Sequence, residues 1–216
     1  MALNQPLISI LLSTYNRAEY LPQAIESVLA QTYSAWQLII SDDGSSDDTW
    51  NILQPYLKDP RIFYLYHSNV KLSRSRNMAA QQALGEFYAI LDSDDWYDPQ
   101  HLSRNLDFLT KQNLDLCFAK VILHGPADAA WVPDKRDRSQ KIHLHDCPVA
   151  GTLFFKADLF QELKGFAVVD YSEDSDFVER AQAAGFKCSA APFQTYHYAC
   201  ATPNGLIEQQ RQKVMA

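Results

Sequence analysis

The sequence predicts an α/β fold in which a mainly parallel β-sheet carries helices on both faces. Two observations predict it. Short apolar runs alternate with segments of helical periodicity through the first half of the chain, and the links between them are short. Parallel strands need a crossover connection, which is usually a helix. With 216 residues, the chain can bury a full core without disulfides.

The first two elements show this pattern. The run 7–12 (LISILL) is continuously apolar, as expected of a strand buried on both faces. In segment 18–31, Leu21 and Ile25 fall on one helical face, and Pro22 stands in the first turn, where its missing N–H costs little. The other elements expected in the first half are strands at 36–40, 62–66 and 87–91, helices at 47–57, 72–84 and 99–111, and a fifth strand at 114–123.

The second half is less regular. Segment 124–148 mixes charges, prolines and histidines without a clear period, so a mobile loop and an insertion over a site are both open interpretations. No internal repeat or linker divides the chain, which predicts a single domain over 1–216. The later elements expected are helices at 157–163 and 175–184, a strand at 186–192, and a helix or frayed tail after Pro203.

Composition limits the classes of function. A net charge of −7 argues against a protein that binds nucleic acid through a basic face. The four cysteines are widely spaced and form no C-x-x-C pair, which disfavours a zinc site or a redox pair. Because neither a charged-then-apolar leader nor an apolar run of about 18 residues occurs, we expect a cytoplasmic protein, with peripheral membrane association left open.

Polar runs follow three of the predicted strands, at 13–17, 41–49 and 92–95. Parallel strands bring their carboxyl ends to one edge of the sheet, where ligands bind in such folds. Asp92, Asp94 and Asp95 would repel one another at low dielectric, so a cation should neutralise them. Carboxylate oxygens suit Mg²⁺ or Mn²⁺. The alternative is an exposed acidic turn that caps the next helix.

Two further pairs of polar residues could recognise a nucleotide. Asp42 or Asp43, at the end of a buried strand, could accept the imide N–H of a uracil or thymine ring, or a base amino group. Turn and helix-cap chemistry explains part of that run equally well. Arg74 and Arg76 open the third helix, and helix N-termini and guanidinium groups both attract anions. Solvated helix arginines are the alternative.

Five motifs occur together between about residues 7 and 96: S-T-Y-N-R, Q-T-Y, D-D-G-S-S-D-D-T, S-R-N and D-S-D-D. In this order and spacing they resemble an inverting family-2 glycosyltransferase with the GT-A fold, a Rossmann-like, mainly parallel sheet flanked by helices on both faces. Segments 151–155, 163–166 and 172–177 are looser matches to the acceptor side of that family. The helix start S-R-S-R-N departs from the family, which more often has alanine or glycine around one arginine.

The resemblance implies roles for individual residues. Asp174 would be the general base, with Glu173 supporting it. Asp92 and Asp94 would form the D-x-D pair, and Asp94 and Asp95 would divide the ribose and metal contacts of a Mn²⁺ or Mg²⁺ ion. The residues implied to bind the nucleotide are Ser13, Tyr15, Asp42, Asp43, Arg74, Arg76, Asp92 and Asp94.

Some of these residues have other interpretations. Asp174 could cap the helix that follows it, and Asp170 competes with it as a nearby carboxylate. His197 resembles a histidine that some related enzymes place near the metal, although a surface histidine is the alternative. His143 and His145 alternate along one expected strand face, which leaves a zinc pair open.

The resemblance implies that a sugar moves from a nucleoside diphosphate, most commonly uridine diphosphate, to a hydroxyl of a saccharide or lipid-linked acceptor in cell-surface polysaccharide or glycolipid synthesis. Residues 1–112 would form the nucleotide-binding half and 113–216 the acceptor-binding half. Two alternatives are a non-catalytic nucleotide-sugar binding protein and a sugar-phosphate nucleotidyltransferase. The latter usually opens with a glycine-rich loop, whereas segment 8–20 contains no glycine.

Overall fold

The computed structural model describes residues 5–200. Six helices and twelve strands lie in that range. The helices are α1 (Leu21–Leu29), α2 (Thr49–Leu53), α3 (Leu72–Ala80), α4 (His101–Lys111), α5 (Ala157–Glu162) and α6 (Glu173–Ala183). The strands are β1 (Ile8–Thr14), β2 (Trp36–Asp42), β3 (Ile62–Tyr66), β4 (Phe87–Asp92), β5 (Trp96–Tyr97), β6 (Leu116–Phe118), β7 (Ile122–His124), β8 (Trp131–Pro133), β9 (Lys141–His143), β10 (Phe154–Lys156), β11 (Cys188–Ala190) and β12 (Tyr196–Ala199).

The main sheet has seven strands in the order β11-β6-β10-β4-β1-β2-β3. Only β10 runs against its neighbours, so the sheet is mainly parallel, as predicted. Ser13 stands opposite Ser41 on one side and Asp92 on the other, and Thr14 stands opposite Asp42. The polar ends of β1, β2 and β4 therefore lie side by side at one edge of the sheet.

Both faces of the sheet are covered by helices because its strands are apolar on both sides. Ile10 and Leu12 point to a core that includes α1 and α4, while Leu11, between them, points to a core that includes α3, α5 and α6. The second core contains a group of phenylalanines, and Phe166 and Phe177 approach to 4.6 Å between ring centroids. This arrangement confirms the expected layers.

Several predicted elements are wrong in extent, among them the helix expected at 72–84, which ends at Ala80. The strand expected at 114–123 is divided: β6 pairs in the main sheet, whereas β7 pairs with β12 in a separate three-stranded sheet. The helix expected at 47–57 ends at Leu53, because Pro55 has no N–H with which to continue the helix, and a short 3₁₀ turn follows. The strands β5, β8, β10 and β12 were not predicted.

Segment 124–148 forms an antiparallel hairpin from β8 and β9, with Trp131 opposite His143. This favours an insertion over the loop alternative. The helix or tail expected after Pro203 lies outside the described residues. Within 5–200, every helix is too short or too polar to cross a membrane.

Candidate active site

A cavity of about 1030 Å³ opens at the carboxyl end of β4. Its wall takes residues from α3, the end of β4, the β8–β9 hairpin and the start of α6. Four of the predicted site residues line it, namely Arg76, Asp92, Glu173 and Asp174. The cavity therefore brings together residues that lie up to 98 positions apart in the sequence, from Arg76 to Asp174.

Arg76 links the two halves of the chain. Its guanidinium is 1% exposed; Nη2 donates to Asp92 Oδ1 at 2.5 Å, and Nη1 donates to Glu173 Oε1. Burial lowers the pKa of Arg76, but the two carboxylates raise it by more, so the net pKa lies above the ordinary value. Arg76 therefore stays charged, and it holds Glu173 at the start of α6 against the end of β4.

The position of Arg76 follows from the face that α3 buries. Ser75, next to it, is also buried, and its Oγ donates to Ser41 Oγ at 3.0 Å across the β2 end. The small residues Ala79 and Ala80 pack the same helix close to the sheet. A long cationic side chain on such a face must find anionic partners inside the protein, because an unpaired buried charge is very costly.

Asp174 lies beside Glu173 in the first turn of α6. Its Oδ1 accepts the Ser175 N–H at 2.7 Å, and its Oδ2 accepts the Ala150 N–H at 3.1 Å. Burial and the adjacent Glu173 raise the pKa of Asp174 to about 7, although the backbone N–H groups and Arg76 act against the rise. A carboxyl group with a pKa near neutral pH is suited to accept a proton during catalysis.

The ends of β1 and β2 form a second group of polar residues. Asp42 accepts from Ser45 N–H at 2.8 Å and from Tyr64 O–H at 2.7 Å. Asp43 accepts two backbone N–H groups of the loop before α3, at 2.5 Å and 3.0 Å. Ser13 is buried, and its Oγ has no hydrogen-bond partner among the described residues, while Tyr15 is 49% exposed.

The acidic run after β4 is divided between core and surface. Asp95 is 2% exposed and accepts from Tyr196 O–H at 2.7 Å and Ala199 N–H at 2.8 Å. Burial, followed by the neighbouring Asp94 and Asp92, raises the pKa of Asp95 well above its ordinary value. Asp95 is therefore held in the core by β12. Asp94 is half-buried.

His197 and Arg74 lie apart from the cavity wall. The His197 ring stacks on Trp96, its Nε2 lies 3.1 Å from Asp98 Oδ1, and its Nδ1 lies 2.8 Å from His124 Nε2. Arg74 is exposed on α3. Across residues 5–200, no group of three or more histidine, cysteine, aspartate or glutamate side chains is arranged to hold a metal ion by itself.

A comparison with protein families decides the assignment. The family model described as "Glycosyl transferase family 2" matches residues 9–164, which is most of the chain. The chain belongs to glycosyl transferase family 2. The resemblance to this family that the motifs carry is confirmed.

Three curated relatives are similar over parts of their length. The chain is 37% identical over 116 residues to a putative teichuronic acid biosynthesis glycosyltransferase of Bacillus subtilis, which is 53% of this chain and 46% of the relative. It is 44% identical over 104 residues to a putative colanic acid biosynthesis glycosyl transferase of Escherichia coli. That match covers 46% of this chain and 37% of the relative. It is 36% identical over 118 residues to an Escherichia coli UDP-Glc:alpha-D-GlcNAc-diphosphoundecaprenol beta-1,3-glucosyltransferase. That match covers 54% of this chain and 47% of the relative. The chain thus spans about half or less of each.

Solved structures share the fold. Staphylococcus aureus TarS 1–349 in complex with UDP-GlcNAc superposes with a TM-score of 0.75 at 20% identity, over 94% of this chain and 60% of that one. The mannosyltransferase PcManGT of Pyrobaculum calidifontis, in complex with GDP-Man and Mn²⁺, gives a TM-score of 0.73 at 16% identity, over 98% and 62%. The expected GT-A fold is confirmed.

The sequence analysis missed Tyr196, whose side chain contacts the acidic run after β4. The Tyr196 hydroxyl donates to Asp95 and lies 3.3 Å from the Asp92 N–H, so β12 is tied to the end of β4. Gly151 permits this, because a Cβ there would lie 1.9 Å from the Tyr196 ring. The pair is distant in sequence, and no local motif signals it.

The expectation that His143 and His145 lie on one face of a strand is wrong. β9 ends at His143, and His145 falls in the 3₁₀ turn that follows. The two rings meet edge to face with 4.8 Å between their centroids, and His145 Nε2 lies 3.0 Å from Val121 O. His143 and His145 therefore pack against each other and against the backbone, and the zinc-pair interpretation has no support from this geometry.

Proposed function

We propose that this glycosyltransferase moves a sugar from a nucleoside diphosphate, with uridine diphosphate the first choice, to an acceptor hydroxyl with inversion at the anomeric carbon. The observation that carries the proposal is Asp174, which lines the cavity with its pKa raised to about 7. A group poised near neutral pH can accept the proton that the acceptor hydroxyl loses as it attacks.

Asp174 acts as the general base, and Glu173 positions it. Glu173 is engaged by Arg76, so its carboxylate is held in an ion pair while Asp174 bonds only to neutral N–H and O–H groups. The acceptor oxygen forms its bond to the anomeric carbon as the bond from that carbon to the diphosphate breaks. The proton goes to Asp174, and a single displacement from the opposite face inverts the centre.

The nucleotide binds at the ends of β1 and β2. Ser13 offers a hydroxyl that has no hydrogen-bond partner within residues 5–200, and Asp43 shapes the loop before α3 through two N–H contacts. Tyr15, which directly follows β1, and Arg74 of α3 are exposed, and in this proposal they contact the base and the phosphates. UDP-GlcNAc and UDP in complexes of TarS support a uridine donor, and GDP-Man in PcManGT keeps guanosine as the second choice.

A divalent ion fits this edge through Asp94. Asp94 is half-buried at this edge and belongs to the D-x-D pair with Asp92, whereas Asp95 is 2% exposed in the core. Ions such as Mg²⁺ commonly bind through one or two carboxylates, completed by water and substrate phosphates, so a single protein ligand suffices. The ion, Mn²⁺ or Mg²⁺, would supply Lewis-acid stabilisation of the leaving diphosphate.

The acceptor is a saccharide carried on a lipid diphosphate in the synthesis of a cell-surface polysaccharide. The names of the relatives support this, because they include teichuronic acid biosynthesis, colanic acid biosynthesis and transfer to a diphosphoundecaprenol-linked sugar. Residues 1–112 hold the donor in this proposal, and 113–216 supply the base and the acceptor wall.

Replacement of Asp174 by asparagine tests the proposal. The Asp174→Asn variant should lose turnover of the sugar nucleotide, measured as release of nucleoside diphosphate, while it still binds the nucleotide. Asp176→Asn is the matched control, because Asp176 lies in the same helix but bonds to Arg180 at 2.7 Å. Unchanged turnover in Asp174→Asn would remove this residue from the mechanism. Wild-type protein that binds the nucleotide and never turns it over would favour the non-catalytic alternative.

A further inference from the structure

Positive charge is concentrated on one exposed hairpin of this acidic protein. The basic hairpin, residues 131–143, consists of β8, β9 and their connection, and four cations lie within seven of its residues in a chain of net charge −7. The connection also holds Asp134 and Asp137, each of which accepts backbone N–H groups of its own turn and keeps its negative charge, so the net charge of the hairpin is +2 with histidine neutral. The four cations are Lys135, Arg136, Arg138 and Lys141.

These cations differ in how far they are engaged. Lys135 pairs with Glu179 at 2.6 Å, and the Arg138 guanidinium lies 5.3 Å from the Tyr171 ring centroid. Arg136 and Lys141 are exposed, and neither makes an ion pair with the described part of the chain. Arg136 and Lys141 therefore present two positive charges to solvent, on a hairpin whose net charge is +2 in a chain of net charge −7.

Exposed apolar side chains adjoin the same hairpin. Trp131, its first residue, is 46% exposed. The Tyr171 hydroxyl donates to Pro133 O at 2.7 Å and so ties the preceding loop to the hairpin. That loop carries Val168 and Val169, which are 57% and 41% exposed. Aromatic and aliphatic side chains beside lysine and arginine are the composition of segments that lie at a membrane–water interface.

The surface adjoins the cavity that contains Asp174. The inner side of the hairpin, from Val132 to Arg136, lines that cavity, and so do Asp170 and Tyr171 of the tied loop. Asp170 adds one negative charge to this rim. Whatever the hairpin contacts is therefore held at the entrance to the site of transfer.

We propose that the basic hairpin and the Val168–Val169 loop dock the enzyme on an anionic lipid surface, with the cavity entrance toward the membrane. This inference rests on the proposed function, because a lipid-linked acceptor would reach the cavity from the membrane surface. Each basic residue near an anionic bilayer adds attraction, and apolar insertion adds a second signal. Two weak signals of this kind give reversible, salt-sensitive binding rather than permanent anchoring.

Cosedimentation of the full chain with vesicles tests the docking surface. Wild-type protein should bind vesicles of phosphatidylcholine with phosphatidylglycerol, release them at high salt, and bind pure phosphatidylcholine far more weakly. Arg136→Gln with Lys141→Gln should weaken binding to the anionic vesicles by about 30-fold at low ionic strength. The matched control is Lys58→Gln with Lys187→Gln, which removes two exposed charges elsewhere and should bind as wild type.

Three outcomes would overturn the proposal. They are failure of the wild-type chain to bind anionic vesicles, equal binding to neutral ones, and an equal loss of binding in the control pair. Release of the chain by millimolar diphosphate at matched ionic strength would also overturn it, since it would indicate a site for a soluble anion. Nucleotide binding, measured separately by thermal shift, distinguishes a failure of the proposed function from a failure of this surface.

Discussion

Arg76 is a buried cation compensated by two carboxylates from distant parts of the chain, Asp92 and Glu173. The sequence predicts a guanidinium that reaches toward phosphate at a helix N-terminus. Which arginine of S-R-S-R-N faces inward depends on the packing face of α3, and the structure turns Arg76 inward and leaves Arg74 exposed. We therefore assign Arg76 to the positioning of Glu173 and, through it, of Asp174.

The stability of Arg76→Met tests that assignment. Removal of one partner from a buried ion network leaves uncompensated charge, and we expect the free energy of unfolding to fall by about 3–5 kcal/mol in denaturant titration. Arg74→Met, at an exposed site, should change it by no more than about 0.5 kcal/mol. Similar small losses in both variants would show that the Arg76 bridge contributes little.

The pKa of Asp174 predicts a pH profile. The general base must be ionised, and burial together with Glu173 raises its pKa to about 7. Turnover per unit substrate, kcat/KM, should therefore rise with pH through an apparent pKa near that value and level off above it. A profile that stays flat from about pH 5.5 to 8 would contradict a base with a raised pKa, because an ordinary carboxylate is fully ionised across that range.

Among the elements, those with strong local signals were predicted and those formed by distant pairing were not. The β1–α1–β2 unit shows a continuous apolar run, an amphipathic helix with Pro22, and a second apolar run. Each of these elements can therefore be predicted from its own residues alone. Three-residue β10 has no such signal. It becomes a strand because it lies between β4 and β6 and pairs with both.

The contact between Gly151 and β12 belongs to this second class. Gly151→Ala would place a methyl group 1.9 Å from the buried Tyr196 ring. We expect a loss of about 1–3 kcal/mol in unfolding free energy, typical of an overpacked core. In a double-mutant cycle, Tyr196→Leu should relieve part of that loss by making room, with a coupling of roughly 0.5–3 kcal/mol. Additive losses would show that the clash is absorbed elsewhere.

Taken as one molecule, the protein places its site where the sheet topology predicts. The register puts Ser13 between Ser41 and Asp92, so the sequence-level expectation of one polar edge is confirmed. Which carboxylates of that edge are buried and which are exposed was not predictable from the sequence. Whether Asp94 or Asp95 faces outward depends on Tyr196, about 100 residues later, which draws Asp95 into the core.

A thermal-shift measurement with nucleotides tests whether the polar edge of the sheet binds a nucleoside diphosphate together with a divalent ion. The full chain would be heated with uridine, guanosine, thymidine, adenosine and cytidine diphosphates, each with Mn²⁺, with Mg²⁺ and with a chelator. A bound nucleotide at 100 times its dissociation constant should stabilise the fold by about 2.7 kcal/mol. We expect such a shift with uridine diphosphate and metal. It should be lost with chelator and in Asp94→Asn but kept in Asp107→Asn, since Asp107 is an exposed carboxylate on α4. No shift with any nucleotide would contradict this expectation.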